Sequence, residues 1–238
     1  MKHIATYKND SFNLKSLTSY KNESFNMKPL ATYITEYIIK KKLDKPIDSE
    51  DHYKYFPVTK QELIDNVKEL FNKDETNLNC IDTSKITDMS NLFYYEKSKN
   101  INFDVSGWDV SKVKYMQYMF NGLKNFDCDL SKWNVSNVTD MSCMFEGCNK
   151  FEGKGLENWD VSNVTNMENL FVDCYVLNSD LSERNVSKVK DMDGTFYNCK
   201  KFNCDLYKWN VKNVKYMSET FSNCKSLKNK PRWYKALK

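Results

Sequence analysis

Residues 133–150 read WNVSNVTDMSCMFEGCNK, from Trp133 to Lys150, and this stretch is one copy of a unit written six times. With the Trp as zero, the units start at Ile81, Trp108, Trp133, Trp159, Arg184 and Trp209, in steps of 27, 25, 26, 25 and 25 residues. Eight places on, every copy has Met: Met89, Met116, Met141, Met167, Met192 and Met217. Twelve places on, every copy has Phe: Phe93, Phe120, Phe145, Phe171, Phe196 and Phe221. A period near 25 residues marks a solenoid, in which each unit buries its apolar side against its neighbours. These Met and Phe side chains are the expected core of six ~25-residue coils.

The rest of the unit predicts local structure. Asp88, Asp140, Asn166 and Asp191 stand seven places after the start and suit helix N-caps. The run through Met and Phe then predicts about two helical turns. Gly122, Gly147, Asp173, Asn198 and Asn223, at place fourteen, tolerate the left-handed conformation that ends a helix. The extra residue of the third unit falls at Gly153-Lys154-Gly155 and reads as a surface bulge.

Outside the repeats the chain divides by composition. Residues 1–44 form an arm in which TYKNDSFNLKSLT (6–18) is echoed by SYKNESFNMKPLA (19–31). Leu30, Tyr33, Ile34, Tyr37 and Ile38 then give the arm an amphipathic helix, a packing element and a possible membrane-surface contact. Residues 45–57 read as a linker. Residues 58–80 read as a helical cap, opened by the capping box Thr59-Lys60-Gln61-Glu62 and lined by Leu63, Ile64, Val67, Leu70 and Phe71. The repeats occupy 81–230. Residues 231–238 form a basic tail in which Trp233 and Tyr234 are expected to cover the last coil.

Charge and cysteine usage narrow the class. Thirty-six basic against 32 acidic side chains, net +4, are too balanced to point to nucleic acid. No segment approaches the roughly 18 apolar residues of a membrane span. The start, MKHIATYKNDSFNLK, has no apolar run of the secretory kind. Cys148, Cys174, Cys199 and Cys224 share place fifteen in successive units. In stacked coils about 4.8 Å apart such neighbours point the same way, whereas a disulfide needs converging Cβ vectors. Buried reduced thiols are expected, which favours a cytoplasmic setting. Zinc would need four converging ligands, and no His lies in the repeats, so neither metal nor cofactor is expected.

WDVSNVTNM (159–167) and WNVSNVTDMSCMF (133–145) resemble the BspA-type leucine-rich-repeat family, the repeats of Mycoplasma-type surface proteins. YFPVTKQELIDNVKELFNKDETNLNCIDTSKITDMSNLF (55–93) is similar to that family's N-terminal cap. The resemblance covers Tyr55 to about Lys230. It implies an α/β fold, a right-handed leucine-rich-repeat-like solenoid with one short parallel strand per coil. It also implies binding rather than catalysis, and surface display in many members. Arg184 departs from the Trp of the pattern, and Thr195 and Thr220 from the Met or Leu beside the Phe.

The only histidines, His3 and His52, lie outside the repeats, so no Ser-His or Cys-His arrangement can form within them. Asp82, Asp109 and Asp160 share a column with Asn134, Asn185 and Asn210, which reads as a ladder of Asx-turns rather than a calcium site. Places four and six make a Lys-rich ribbon. Its candidate binding residues are Lys85, Lys112, Lys114, Thr139, Thr165, Lys188, Lys190 and Lys215. The expected function is non-enzymatic: a recognition or scaffold protein taking a protein or glycan partner through an exposed repeat face. The alternative is a structural particle, envelope or surface component located by its N-terminal arm.

Overall fold

A computed structural model describes residues 53–94 and 101–235. The arm, its expected helix and residues 45–52 lie outside the described residues. Each repeat closes on itself through N–H bonds to the carbonyl three residues back. In the third unit Val138 N donates to Val135 O (2.9 Å), Met144 N to Met141 O (3.2 Å) and Cys148 N to Phe145 O (2.9 Å). The apolar residues that join these turns are buried. The corners between them are Asx-turns, in which a side-chain oxygen accepts the N–H two residues on. Asn134 Oδ1 takes Ser136 N at 3.1 Å, and Asp140 Oδ1 takes Ser142 N at 2.9 Å.

The two helical turns expected through Met and Phe do not form. Met141, Cys143, Phe145 and Gly147 send their N–H groups to Asn166 O, Glu168 O, Leu170 O and Val172 O of the next unit, at 2.7–3.1 Å. A donor spent across units cannot serve an i−4 carbonyl. The residue at place ten is left-handed in every unit: Asn91, Tyr118, Cys143, Asn169, Gly194 and Glu219 have φ of 53–59°. Among the described residues the helices are α1 (Lys60–Asn72), α2 (Arg232–Lys235) and a 3₁₀ turn, Leu156–Asn158. The short strand expected in each coil shrinks to single parallel bridges, which run Asp88, Tyr115, Asp140, Asn166, Asp191, Tyr216 without a break.

The Phe column stacks face on face. Centroids of Phe93, Phe120, Phe145, Phe171, Phe196 and Phe221 succeed one another at 5.5–5.7 Å. Eleven of the twelve predicted core residues are buried; Met217, in the last repeat, is half-buried. The boundary predicted for the linker moves. Tyr55 bridges Ile81, and Lys54 N donates to Cys80 O at 2.7 Å, so the end of the predicted linker already pairs with the start of the first unit. Helix α1 starts at the capping box, with Glu62 N on Thr59 Oγ1 and Thr59 N on Glu62 Oε2. It buries Leu63, Val67, Leu70 and Phe71. At the other end Trp233 lies flat on Trp209 (6.4 Å, 2°), and its Nε1 donates to Leu206 O at 2.9 Å. That is the position a seventh unit would give its Trp. Tyr234 meets Phe221 edge-on at 5.1 Å.

The Gly153-Lys154-Gly155 bulge is packed, not merely superficial. Gly153, Gly155 and Leu156 are buried, and Lys154 O accepts Leu130 N at 3.1 Å.

One junction is imperfect. Elsewhere each Trp Nε1 donates to the carbonyl three residues before the preceding unit's start: Trp133 to Val105 O, Trp159 to Leu130 O and Trp209 to Leu181 O. Arg184 cannot reproduce this. Its Nη1 reaches Trp159 O at 2.6 Å instead, and its Nε is buried without a partner among the described residues. An apolar cavity of about 30 Å³ opens beside it, lined by Leu156, Trp159, Phe171 and Trp209 among others. Arg184→Trp would restore the indole bond to Leu156 O and fill the gap between two rings. Relief of the unpartnered donor and new ring contacts predict about 1–2 kcal/mol of stabilisation, or a Tm rise of roughly 2–8 °C. Thermal unfolding of the two chains checks this, and a lowered Tm would show that the site cannot take the ring.

Candidate recognition face

The candidate ribbon at places four and six splits into two kinds of residue. Thr139 Oγ1 donates to Lys114 O (3.2 Å) and Thr165 Oγ1 to Thr139 O (3.1 Å), so these hydroxyls clamp one unit to the next. Asn137, Asn163 and Asn213 do the same through Nδ2, to Ser111 O, Ser136 O and Ser187 O. Lys85, Lys112, Lys114, Lys188, Lys190 and Lys215 are exposed. Lys188 Nζ leans on Asn163 Oδ1 at 2.6 Å. The structure thus brings the ribbon's lysines onto one side of the bridge ladder, and assigns its threonines to holding the stack.

The other side of the ladder, places seven to thirteen, carries a different chemistry that the column-by-column reading missed. Tyr115 and Tyr118 stand exposed near its N-terminal end and Tyr216 at its C-terminal end, at 47%, 37% and 58%. Between them lie Asp140, Glu146, Glu168, Asp191 and Asp193, all half-buried. Burial, followed by the charges of Asp191, Asp193, Asp140 and Glu146, raises the Glu168 carboxyl above the ordinary range. Asp191 is raised too, by burial first and the Asp193 charge behind it. A hydrogen bond to Cys143 pushes the Tyr118 hydroxyl up to about 12. The ion pairs of the described residues join Lys60 to Asp88, Lys73 to Glu69, Lys154 to Asp129 and Lys208 to Glu183. None of them neutralises this group. Burial and neighbouring charge thus disfavour the ionised forms of Glu168 and Asp191 in the folded chain.

Two hollows run along this face. One, of about 340 Å³, is lined by Glu146, Asn169, Asp193, Tyr197 and Glu219 among others. The second, of about 450 Å³, lies toward the C-terminal end and includes Tyr216, Met217, Lys230 and Tyr234. Asp193, Ser218 and Glu219 border both, so the hollows join into one groove.

The remaining chemistry-bearing columns are structural. The Asx column accepts N–H at each place: Asp82 from Ser84, Asp109 from Ser111, Asp160 from Ser162 and Asn185 from Ser187. The cysteine column is a ladder of thiol donors. Cys148, Cys174, Cys199 and Cys224 point Sγ at Phe120 O, Phe145 O, Phe171 O and Phe196 O, at 2.9–3.1 Å. Burial pushes all four thiols up, Cys224 to about 11, so they stay protonated and donate. Among the described residues no three His, Cys, Asp or Glu side chains are placed to hold a metal ion. No helix of those residues is long and apolar enough to cross a membrane.

No curated protein and no solved structure matches the chain. A repeat family does match, over residues 62–156 and again over 147–236, which together take in most of α1, all six units and the C-terminal cap. On that coverage the chain belongs to the family described as Mycoplasma protein of unknown function, DUF285.

Proposed function

We propose that this chain is a non-enzymatic recognition protein, a right-handed solenoid of the BspA-type leucine-rich-repeat kind that binds a protein partner through its ladder face. The observation that carries the reading is the group of half-buried carboxylates, Asp140, Glu146, Glu168, Asp191 and Asp193, set between exposed tyrosines on that face with no ion-pair partner among the described residues. Tyrosine supplies large contact area at low entropic cost, and charge selects the partner. The stack supports the reading further, because in-register bridges hold these side chains at fixed spacing before any partner arrives. The carboxylates are distributed along successive units, an arrangement suited to an extended contact rather than to one reacting centre.

The test is capture of binding partners from a host extract by the full chain, followed by the same capture with substituted chains. Tyr115→Ser with Tyr118→Ser should lower the yield of a saturably bound partner at least tenfold, while Lys112→Glu with Lys114→Glu should leave it within twofold. The reverse pattern would move the binding surface to the lysine ribbon. No saturable partner for the unsubstituted chain would sink recognition altogether.

A further inference from the structure

In the second to fifth units, four N–H groups are satisfied by the unit that follows. Met192, Gly194, Phe196 and Asn198, for instance, donate to Tyr216 O, Ser218 O, Thr220 O and Ser222 O at 2.8–3.0 Å. The matching groups of the last unit, on Met217, Glu219, Phe221 and Asn223, have no acceptor among the described residues. The described part of the C-terminal cap covers the core with Trp233 and Tyr234 and accepts from none of these donors. The row lies at the wider end of the groove, beside Asp193 and Glu219.

We propose that this edge takes a Lys- or Arg-rich peptide segment that follows its turns, as one further layer of the stack. The segment's carbonyls accept from Met217, Glu219, Phe221 and Asn223, while its basic side chains lie over Asp193, Glu219 and Glu146. Backbone pairing at an open edge draws affinity from the main chain and selectivity from the side chains. The inference rests on the ladder face being the recognition surface.

Other occupants fit less well. A second copy related by a two-fold axis would bring this donor row against an identical donor row, which cannot pair. The first unit does offer complementary carbonyls on Asp88, Ser90 and Leu92, which accept nothing among the described residues. Helix α1 guards that edge, however, with Lys60 Nζ on Asp88 Oδ1 (3.2 Å) and on Ser90 Oγ (2.5 Å). A head-to-tail copy would therefore meet a helix rather than a strand. Lys215 and Lys230 stand at the groove's rim, and Lys230 Nζ already sits over the Tyr234 ring at 5.2 Å. The segment's basic residues thus belong over the inner hollow, whose charged lining residues, Glu146, Asp193 and Glu219, are all acidic.

The experiment uses the full chain and two labelled dodecapeptides, one alternating Lys with Thr and the other alternating Glu with Thr. Fluorescence anisotropy measures affinity, and residue-resolved amide exchange reports the edge. The lysine peptide should bind at least tenfold more tightly than the glutamate peptide. Asp193→Lys with Glu219→Lys should remove most of that difference. Exchange at Met217, Glu219, Phe221 and Asn223 should slow at least tenfold in the complex. Equal affinities, or binding without protection of those four amides, would overturn the proposal. If the proposal fails while Tyr115→Ser with Tyr118→Ser still abolishes partner capture, recognition by the ladder face survives without pairing at this edge.

Discussion

Truncating Phe145 to alanine is expected to cost about 3–5 kcal/mol, a large part of the stability of an ordinary domain. The ring is fully buried at the middle of the stack. It meets Phe151 at 4.3 Å, Phe120 at 5.5 Å, Phe171 at 5.7 Å and Trp159 at 6.2 Å. Collapse into the vacated space is hindered, because the backbone on both sides is pinned by inter-unit hydrogen bonds such as Phe120 N to Met144 O and Phe145 N to Leu170 O. A site that cannot relax keeps its cavity, and the cost then sits at the upper end of the range. Denaturant unfolding of the full chain measures the loss. An unchanged midpoint would show that the Phe column does not hold the stack together.

Replacing Gly155 with alanine is expected to be about as damaging, for a different reason. The residue has φ +94°, and an added Cβ would fall against Ser131 N, Ser131 Cα and Leu130 C, all backbone atoms of the previous turn. Strain of about 1–3 kcal/mol for the conformation and a similar amount for overpacking give roughly 2–5 kcal/mol. Gly147→Ala is the internal comparison. Its φ is +76°, but the nearest atom to its added Cβ is Gly122 Cα at 3.3 Å, a contact that needs only a slight shift. The Gly155 change should cost at least twice as much by the same measurement. Equal costs would mean that backbone conformation alone, not contact with the Ser131 turn, restrains the bulge.

These two sites differ in how plainly the chain announces them. Phe145 belongs to a column with no exceptions, and burial follows from periodicity alone. Gly155 was visible only as an extra residue, and its packing on Ser131 depends on where the neighbouring turn lies. The absent helices have a similar origin. Asp140 at an N-cap place and Gly147 at a C′ place are good helix signals, and Gly147 does have positive φ. What they could not reveal is that Cys143, between them, is left-handed, since neither Cys143 nor its counterparts Tyr118 and Glu219 belong to types that favour it. Competition from the next unit's carbonyls decides the matter, a tertiary effect that local propensity does not contain. The acidic group was hidden for a geometric reason. Asp140 and Asp191 stand at place seven, Glu168 and Asp193 at place nine and Glu146 at place thirteen. No single column is acidic, and only stacking makes these residues neighbours. The open donor row was obscured by Trp233, which follows Trp209 by 24 residues and so escaped the count of units.

The gap at Arg184 has a mechanical meaning. In an array where each layer touches only the ones above and below, cohesion is limited by its poorest junction. Phe145 has both Phe151 and Trp159 beside it, whereas Phe171 has Leu177 and Arg184 in the corresponding places. Under tension or warming the pile is expected to part there first, into an N-terminal block anchored by α1 and a C-terminal block anchored by Trp233. The groove spans that parting plane, with Glu146 on one side and Asp193 on the other, so a ligand bridging it doubles as a splint.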